Sequence, residues 1–482
     1  MEFVQDNDVL QVIRKFNPWW TDKKYTAGAS FKRMAFYEVY GWFRKENFNR
    51  AVVLSGARRV GKTVILRQVA EELMKEGWLR NEILYLSLDH PILKLANLDR
   101  IIDIYQQNVL PNPKKIALLL DEVQYAKNWG TWIKHSIDFR PSVRIIATGS
   151  AALDIQDKGT ESGTGRWVTV KIPTLSYYEY LRMKDIDIPK LAGDFRVLNL
   201  VKMERPSRAE IMNSCLPVKE YFHKYLLVGG FPELVKMENI DDAQRLLRED
   251  VVEKVLKRDM TTSFGVRHVA EIEKLFIYLC IHSGGIVEKK TLADQLEVSP
   301  ITVERFLGYL ESANLIYRLP PIQQSGKMAL KGRPKIHVSD IALRNAVLLK
   351  SDDILTNPEE LGLSVESAVY KHFHTFYFRE KPIMGYWREG KREVDIVINV
   401  ENQTIPIEVK YRERPQVKRK DGLWFFSEAA GVKNSIIVSK NAEDFDVVPG
   451  PAANSKILII PAFLLLFMLG HSERNMRKVS SK

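Results

Sequence analysis

Residues 50–63 read RAVVLSGARRVGKT, and this stretch decides the fold. A β-rich run, Ala51, Val52, Val53 and Leu54, leads into a loop with Gly56, Gly61, Lys62 and Thr63 at the spacing G-x-x-x-x-G-K-S/T. An apolar run at helical spacing follows: Val64, Ile65, Leu66, Val69, Ala70 and Leu73. Strand, glycine loop and helix in that order turn the pattern into a phosphate cradle. Backbone N–H groups along Gly56, Ala57, Arg58, Arg59, Val60, Gly61, Lys62, Thr63 and Val64 would wrap the phosphates. The helix N-terminus adds the positive end of its dipole. Lys62 would reach the β/γ-phosphates and the Thr63 hydroxyl would ligate Mg²⁺. The expected ligands are therefore ATP and Mg²⁺.

Such a loop needs a carboxylate beside it. Residues 115–124, KIALLLDEVQ, form an apolar strand that ends in two acids. Asp121 would hold Mg²⁺ and Glu122 would polarise the attacking water, because phosphoryl transfer depends on positioning and charge stabilisation. The next strand candidate ends in Thr148, Gly149 and Ser150. Ser150 would sense the γ-phosphate, or these residues would cap a helix starting near Ala151. Arg58, Arg59 and Arg166, the last following the glycine-rich GTESGTG, are candidates for transition-state charge neutralisation. Arg166 could serve as a finger on a neighbouring subunit.

Further out, 482 residues are too many for one ordinary core and imply two to four domains. The net charge of +12 favours an acidic partner, of which nucleic acid is the usual one, or else serves solubility. Two cysteines, Cys215 and Cys280, give no disulfide framework and point to a reducing, cytoplasmic compartment. The N-terminus has early acids and no long apolar core, unlike a signal peptide. Residues 456–470, KILIIPAFLLLFMLG, are shorter than the ~18–20 needed to span a bilayer, so a strand, a proline break and a core helix are expected and no membrane association.

Residues 1–47 form an N-terminal helical segment rich in aromatics, which would either stack on nucleic acid or pack under the core. Residues 48–175 alternate strands and helices, with apolar strand candidates at 51–55, 83–88, 116–120 and 143–148. Such continuous runs predict a doubly wound α/β domain around a parallel sheet. Residues 176–285 read as helical. Residues 286–345 read as a winged helix-turn-helix broken at Ser299-Pro300, with Thr302, Glu304, Arg305 and Tyr309 exposed and Val303, Phe306, Leu307 and Leu310 buried. That element would bind DNA, with GKMALKGRPK (326–335) as a basic wing, or act as a lid or adaptor between domains. Residues 346–482 return to mixed α/β, with a helix over 362–378 and strands near 384–388, 393–400, 404–411, 435–439 and 457–460.

GARRVGKT, LLLDEVQ, IIATGSAA, GRWVTVKIPTLSYYEY and YLLVGGFPE (225–233) resemble AAA-type P-loop ATPases of bacteria and archaea that carry a conserved-hypothetical C-terminal domain. The resemblance runs over roughly residues 30–465. It implies an α/β architecture of three parts: a P-loop NTPase (AAA-like) parallel-sheet domain, a winged-helix region, and a C-terminal restriction-endonuclease-like α/β domain.

In the last part, REVDIVINVENQTIPIEVKY (392–411) reads as a hairpin through 401–403 that brings Asp395 beside Glu408 on one face. Asp395 and Glu408 would bind Mg²⁺ and Lys410 would orient water or stabilise the pentavalent charge, with Glu366 as an additional ligand. The order resembles the PD-(D/E)XK nuclease superfamily. An ordinary solvated sheet face would show the same alternation, and the fold could hold DNA without cutting it. Lys410, Arg412, Arg414, Lys418, Arg419 and Lys420 would suit a phosphate backbone or a solvated loop. The histidines show no metal spacing except His372-x-His374.

The expected function is Mg²⁺-dependent ATP binding and hydrolysis by a multidomain protein acting on or at DNA, with a candidate metal-dependent nuclease site. The alternative is a regulatory ATP switch that binds a protein partner and carries a silent nuclease-like scaffold. A homo-oligomer is compatible with either.

Overall fold

The computed structural model describes residues 4–46, 48–111, 113–149, 165–189, 191, 196–262, 266, 268–323, 327, 332–400, 403–413 and 415–480. The chain divides into two compact units, Met1–Pro173 with Met476–Lys482, and Thr174–Asn475.

The first unit opens with helices α1 (Asp6–Phe16) and α2 (Met34–Arg44) and continues β1 (Ala51–Ser55), α3 (Lys62–Lys75), β2 (Ile83–Ser87), α4 (Leu98–Asn108), β3 (Ile116–Asp121), α5 (Trp129–Phe139), β4 (Val143–Gly149) and β5 (Trp167–Lys171). The strands form one sheet in the order β2-β3-β4-β1-β5, with every neighbouring pair parallel. All residues of β1 and β3 are buried, which is why both strands read as unbroken apolar runs. The four strands expected from sequence are all present. The fifth, β5, alternates Val168 and Val170 with polar residues, an edge-strand pattern that a search for continuous apolar runs passes over.

The N-terminal aromatics pack rather than offer stacking faces. Trp19 is buried, and the indoles of Trp19 and Trp20 donate to the Ile83 carbonyl at 3.2 and 3.1 Å. The Asn17 side chain donates to the Tyr85 carbonyl at 2.9 Å and accepts from the Tyr85 N–H at 2.7 Å. One amide thus imitates a strand neighbour and closes the free edge of β2.

In the second unit, α6 (Phe222–Val228) ends at Gly229 and Gly230. Gly229 has φ +69°, and a Cβ there would lie 2.2 Å from Asp340 Oδ1. A Cβ on Gly230 would lie 2.4 Å from the Leu175 carbonyl oxygen. These glycines let the chain reach a buried ion pair: Lys371 Nζ lies 2.7 Å from Asp340 Oδ2, which also accepts from Thr174 Oγ1 at 2.6 Å and from the Gly230 N–H at 3.1 Å. The GGF phrase of the sequence is therefore the floor of a buried polar network.

Next come α7 (Val269–Ile281), β6 (Gly285–Ile286), α8 (Lys289–Leu296), α9 (Pro300–Ser312), β7 (Ile316–Leu319) and β8 (Lys335–Val338), the strands forming an antiparallel sheet in the order β6-β8-β7. Ser299 caps α9 by accepting from the Thr302 N–H at 3.1 Å, and Pro300 occupies its first turn. Val303, Phe306, Leu307 and Leu310 are buried and Glu304 and Arg305 exposed, as the spacing predicts; Thr302 and Tyr309 are half-buried instead. Half of the expected basic wing, 326 and 328–331, lies outside the described residues.

Helices α10 (Ile341–Leu348) and α11 (Pro358–Phe376) lead to β9 (Ile383–Glu389), β10 (Arg392–Val400), β11 (Gln403–Val409), α12 (Gly422–Ala429), β12 (Asn434–Ser439), β13 (Asp446–Pro449), β14 (Lys456–Pro461) and α13 (Ala462–Ser480). The six strands order as β13-β14-β12-β11-β10-β9. β10 and β11 pair antiparallel with Ile396 opposite Ile407. β14 ends at Pro461, and residues 462–469 of the following helix are buried. Among the described residues no helix is long and apolar enough to cross a membrane.

Candidate functional site

The glycine loop leaves the carboxyl end of β1 and enters α3. Gly56 is held tightly: a Cβ there would lie 2.3 Å from the Ile172 carbonyl oxygen. Gly61 caps α3 at φ +92°, a left-handed conformation that suits glycine, and Arg59 adopts φ +61°. Two left-handed residues within three positions turn the main chain into the loop. Lys62 is buried, and its ammonium donates to the carbonyls of Gly56 and Ala57, both at 2.9 Å. Val60 is buried, and its carbonyl accepts from Arg33 Nη1 at 2.7 Å. Arg33, itself buried, thus ties the start of α2 to the loop; nothing in its local sequence marks that role.

Three hydroxyls converge on Asp121. Thr63 Oγ1 donates to Asp121 Oδ2 at 2.7 Å, Tyr85 OH donates to the same oxygen at 2.8 Å, and Thr148 Oγ1 donates to Oδ1. Thr148 Oγ1 also accepts from the Glu122 N–H at 3.1 Å. Burial raises the Tyr85 phenol and the Asp121 charge raises it further, so Tyr85 stays a neutral donor. The strand-end hydroxyl that meets the acid is that of Thr148; Ser150 lies outside the described residues. Glu122 sits in left-handed backbone, φ 57° and ψ 50°, and its Oε2 accepts from Gln124 Nε2 at 2.5 Å. Such a conformation in a non-glycine residue costs about 1–2 kcal/mol and recurs at functional sites. Thr63 and Asp121 together offer adjacent hard oxygen donors, the chemistry Mg²⁺ prefers.

The arginine candidates separate. Arg58 and Arg59 stay in the loop. Arg166 accepts the Ala51 N–H with its carbonyl at 2.9 Å, and its Nε donates to Asp138 at 2.7 Å. It lies at the amino end of β1, a strand-length of about 13–17 Å from the loop.

In the second unit the expected carboxylates come together. Asp395 Oδ2 accepts from the Val409 N–H at 2.9 Å, which holds it on the Glu408 side of the hairpin. Lys410 Nζ lies 3.5 Å from Glu408 Oε1, donates to the Gln416 carbonyl at 3.2 Å and bonds Asp421. Among the described residues Glu408 Oε2 is buried with no hydrogen-bond partner. Lys335, expected as the last residue of an exposed basic wing, is instead buried at the start of β8. Its ammonium lies 3.4 Å from Glu366 Oε1 and 3.6 Å from Asp395 Oδ1 and is bonded to Glu393. Burial, reinforced by the neighbouring acids, pushes Glu366 up to about 8, Glu408 up to about 7, and Asp395 above its ordinary range. Burial disfavours the Lys335 ammonium, but Glu366, Asp395 and Glu393 outweigh it and hold the charge.

As placed, these residues do not fit a bound metal. Among the described residues no group of three His, Cys, Asp or Glu side chains is arranged to hold one. The centre expected for Mg²⁺ between Glu366, Asp395 and Glu408 has a protein cation beside it. The His372-x-His374 spacing is not a metal pair either: His372 Nε2 accepts from the Tyr177 N–H at 2.9 Å, and Nδ1 donates to the Ala368 carbonyl at 2.7 Å.

An AAA domain family matches residues 48–181, the span of the parallel sheet and the loop. Two domains of unknown function, DUF8612 and DUF4143, match residues 219–353 and 361–458. An uncharacterized protein of Haemophilus influenzae is 22% identical over 403 residues, 82% of this chain and 90% of that protein. The uncharacterized protein MJ1637 of Methanocaldococcus jannaschii is 25% identical over 365 residues, 74% of this chain and 75% of that protein. Among solved structures, the ORC1 protein of Aeropyrum pernix in complex with DNA aligns with 66% of this chain and 91% of its own, at 12% identity and a TM-score of 0.29, a likeness too low to carry function.

Proposed function

We propose that the chain binds ATP with Mg²⁺ at residues 56–64, hydrolyses it, and uses the cycle on or at DNA. The observation that carries this is the 2.7 Å contact between the Thr63 hydroxyl and the Asp121 carboxylate at the N-terminus of α3, beside the Lys62 ammonium. Lys62 would exchange the carbonyls of Gly56 and Ala57 for phosphate oxygens, a charge-assisted contact in place of neutral ones. Thr63 and Asp121 would hold Mg²⁺, which neutralises charge on the β- and γ-phosphates when bound. Glu122 would orient the attacking water, held in place by its N–H to Thr148 and its carboxylate to Gln124.

DNA is the acidic partner that a net charge of +12 calls for. The winged element and a PD-(D/E)XK-like C-terminal domain, with Asp395, Glu408 and Lys410 as its chemical residues, would meet it. The test is the ATPase rate with and without DNA, for the native chain and Lys62→Ala. DNA stimulation that disappears in the variant supports the proposal; a rate unchanged by Lys62→Ala overturns it.

A second reading, a regulatory ATP switch with a silent nuclease-like scaffold and a protein partner, is favoured by how the second unit spends its charges. Glu304 on α9 pairs with Arg318 at 2.5 Å and Lys289 at 3.1 Å, and Glu311 pairs with Arg318 at 3.1 Å, so bases around the helix meet acids of the same element. A Mg²⁺-dependent nicking assay with Asp395→Ala and Glu408→Ala separates the two. Cleavage by the native chain that both substitutions abolish supports a nuclease; no cleavage supports the scaffold.

A further inference from the structure

Lys335 is the first residue of β8 and is fixed there by pairing with Leu319 on β7 and Ile286 on β6. Its side chain is only 4% exposed. It leaves the small antiparallel sheet and ends among carboxylates of two other elements, Glu366 from α11 and Glu393 and Asp395 from β10. A lysine buried this deeply is rare unless its charge is matched. Here it faces three carboxyl groups, one of which, Glu393, also lies 3.7 Å from Arg388 Nη1. Three carboxylates around one buried cation also form the oxygen-rich environment that a hard divalent ion selects.

We infer that Lys335 is the resident cation of the Glu366, Glu393 and Asp395 group and excludes divalent metal from it, so that the C-terminal site is a latent metal site closed by a residue of the neighbouring sheet. The lysine and its acceptors sit on different elements. This rests on the carboxylate cluster being a cation site, and not on DNA being its substrate.

The experiment titrates Mn²⁺ into the nucleotide-free 482-residue chain and reads free Mn²⁺ by electron paramagnetic resonance. Lys335→Met should gain one Mn²⁺ per chain, bound at least about tenfold more tightly than by the native protein, a difference of about 1.4 kcal/mol. Adding Asp395→Asn should remove the gained ion. A native chain that already holds Mn²⁺ in an Asp395-dependent manner overturns the inference, as does a folded Lys335→Met that gains none. If Lys335→Met is unfolded without metal, its thermal melt is repeated with Mn²⁺. A melting temperature that rises with Mn²⁺ in the variant but not in the native chain supports the inference, and a variant that Mn²⁺ does not rescue overturns it. DNA cleavage is not the readout, so failure of the nuclease reading leaves the result intact.

Discussion

Thr63 Oγ1 donates to Asp121 Oδ2 across 2.7 Å, joining the first turn of α3 to the carboxyl end of β3. The two residues are 58 positions apart in sequence, and β4 separates their strands in the sheet. Thr63→Ala would remove one oxygen from this pair while leaving the fold intact. The expected result is a fall in ATPase rate of about tenfold or more, with a higher Mg²⁺ requirement, since one misplaced contact in phosphoryl transfer costs on that order. Thr63→Ser should restore most of the rate. A Mg²⁺ titration of all three proteins checks it.

Tyr85→Phe removes the second donor to Asp121 Oδ2 without changing the packing volume. A hydrogen bond to a charged group is worth about 1.5–3 kcal/mol, so chemical denaturation should show a loss within that range. The nucleotide-free protein should lose more than the Mg²⁺-nucleotide form, in which metal replaces the lost donor.

Gly56→Ala would drive a methyl into the Ile172 carbonyl, 2.3 Å from an ideal Cβ. Both partners are main chain, so the loop must shift. Fluorescent-nucleotide titration should show at least about a tenfold loss of affinity, while Gly41→Ala, whose Cβ meets nothing within 4 Å, should bind normally.

Lys371→Met would leave Asp340 buried and charged without its partner. Removing one member of a buried pair costs about 3–5 kcal/mol, which urea denaturation would detect in the second unit. Lys371→Met combined with Asp340→Asn should recover part of the loss, because the uncompensated charge is then gone.

The second unit should have its greatest stability on the acid side of neutrality. Glu366 at about 8 and Glu408 at about 7 are raised above their unfolded value of 4.5, so their stabilisation is present below about pH 4.5 and lost as pH rises through 7 and 8. His337 and His372, each lowered by burial to about 3 from 6.5, act with the opposite sign: their stabilisation is present above about pH 6.5 and lost as pH falls toward 3. The two effects oppose each other between about pH 4.5 and 6.5, giving a plateau with declines on both sides. Melting curves from pH 4 to 9 would show it, with Glu366→Gln weakening the alkaline decline and His372→Gln the acid one.

The parallel sheet was legible because its central strands are buried on both faces and therefore spell unbroken apolar runs. The loop was legible because its glycine pattern is contiguous in sequence, and Asp121 because it closes an apolar strand run. Arg33, Tyr85 and Lys335 were not, since each meets its partner through the fold: Arg33 across 27 residues, Tyr85 across 36 and Lys335 across 31. No local spacing encodes such pairings. Asp395 and Glu408 fell together as the hairpin register required, but strand alternation carries no information about a lysine entering from another sheet.

Nucleotide binding at residues 56–64 is measured by calorimetric titration of ATP into the 482-residue chain with Mg²⁺ present. One nucleotide should bind per chain, with affinity reduced by about a hundredfold, or about 2.7 kcal/mol, in Lys62→Ala. Equal binding by the native chain and Lys62→Ala, or no binding by the native chain, would contradict it.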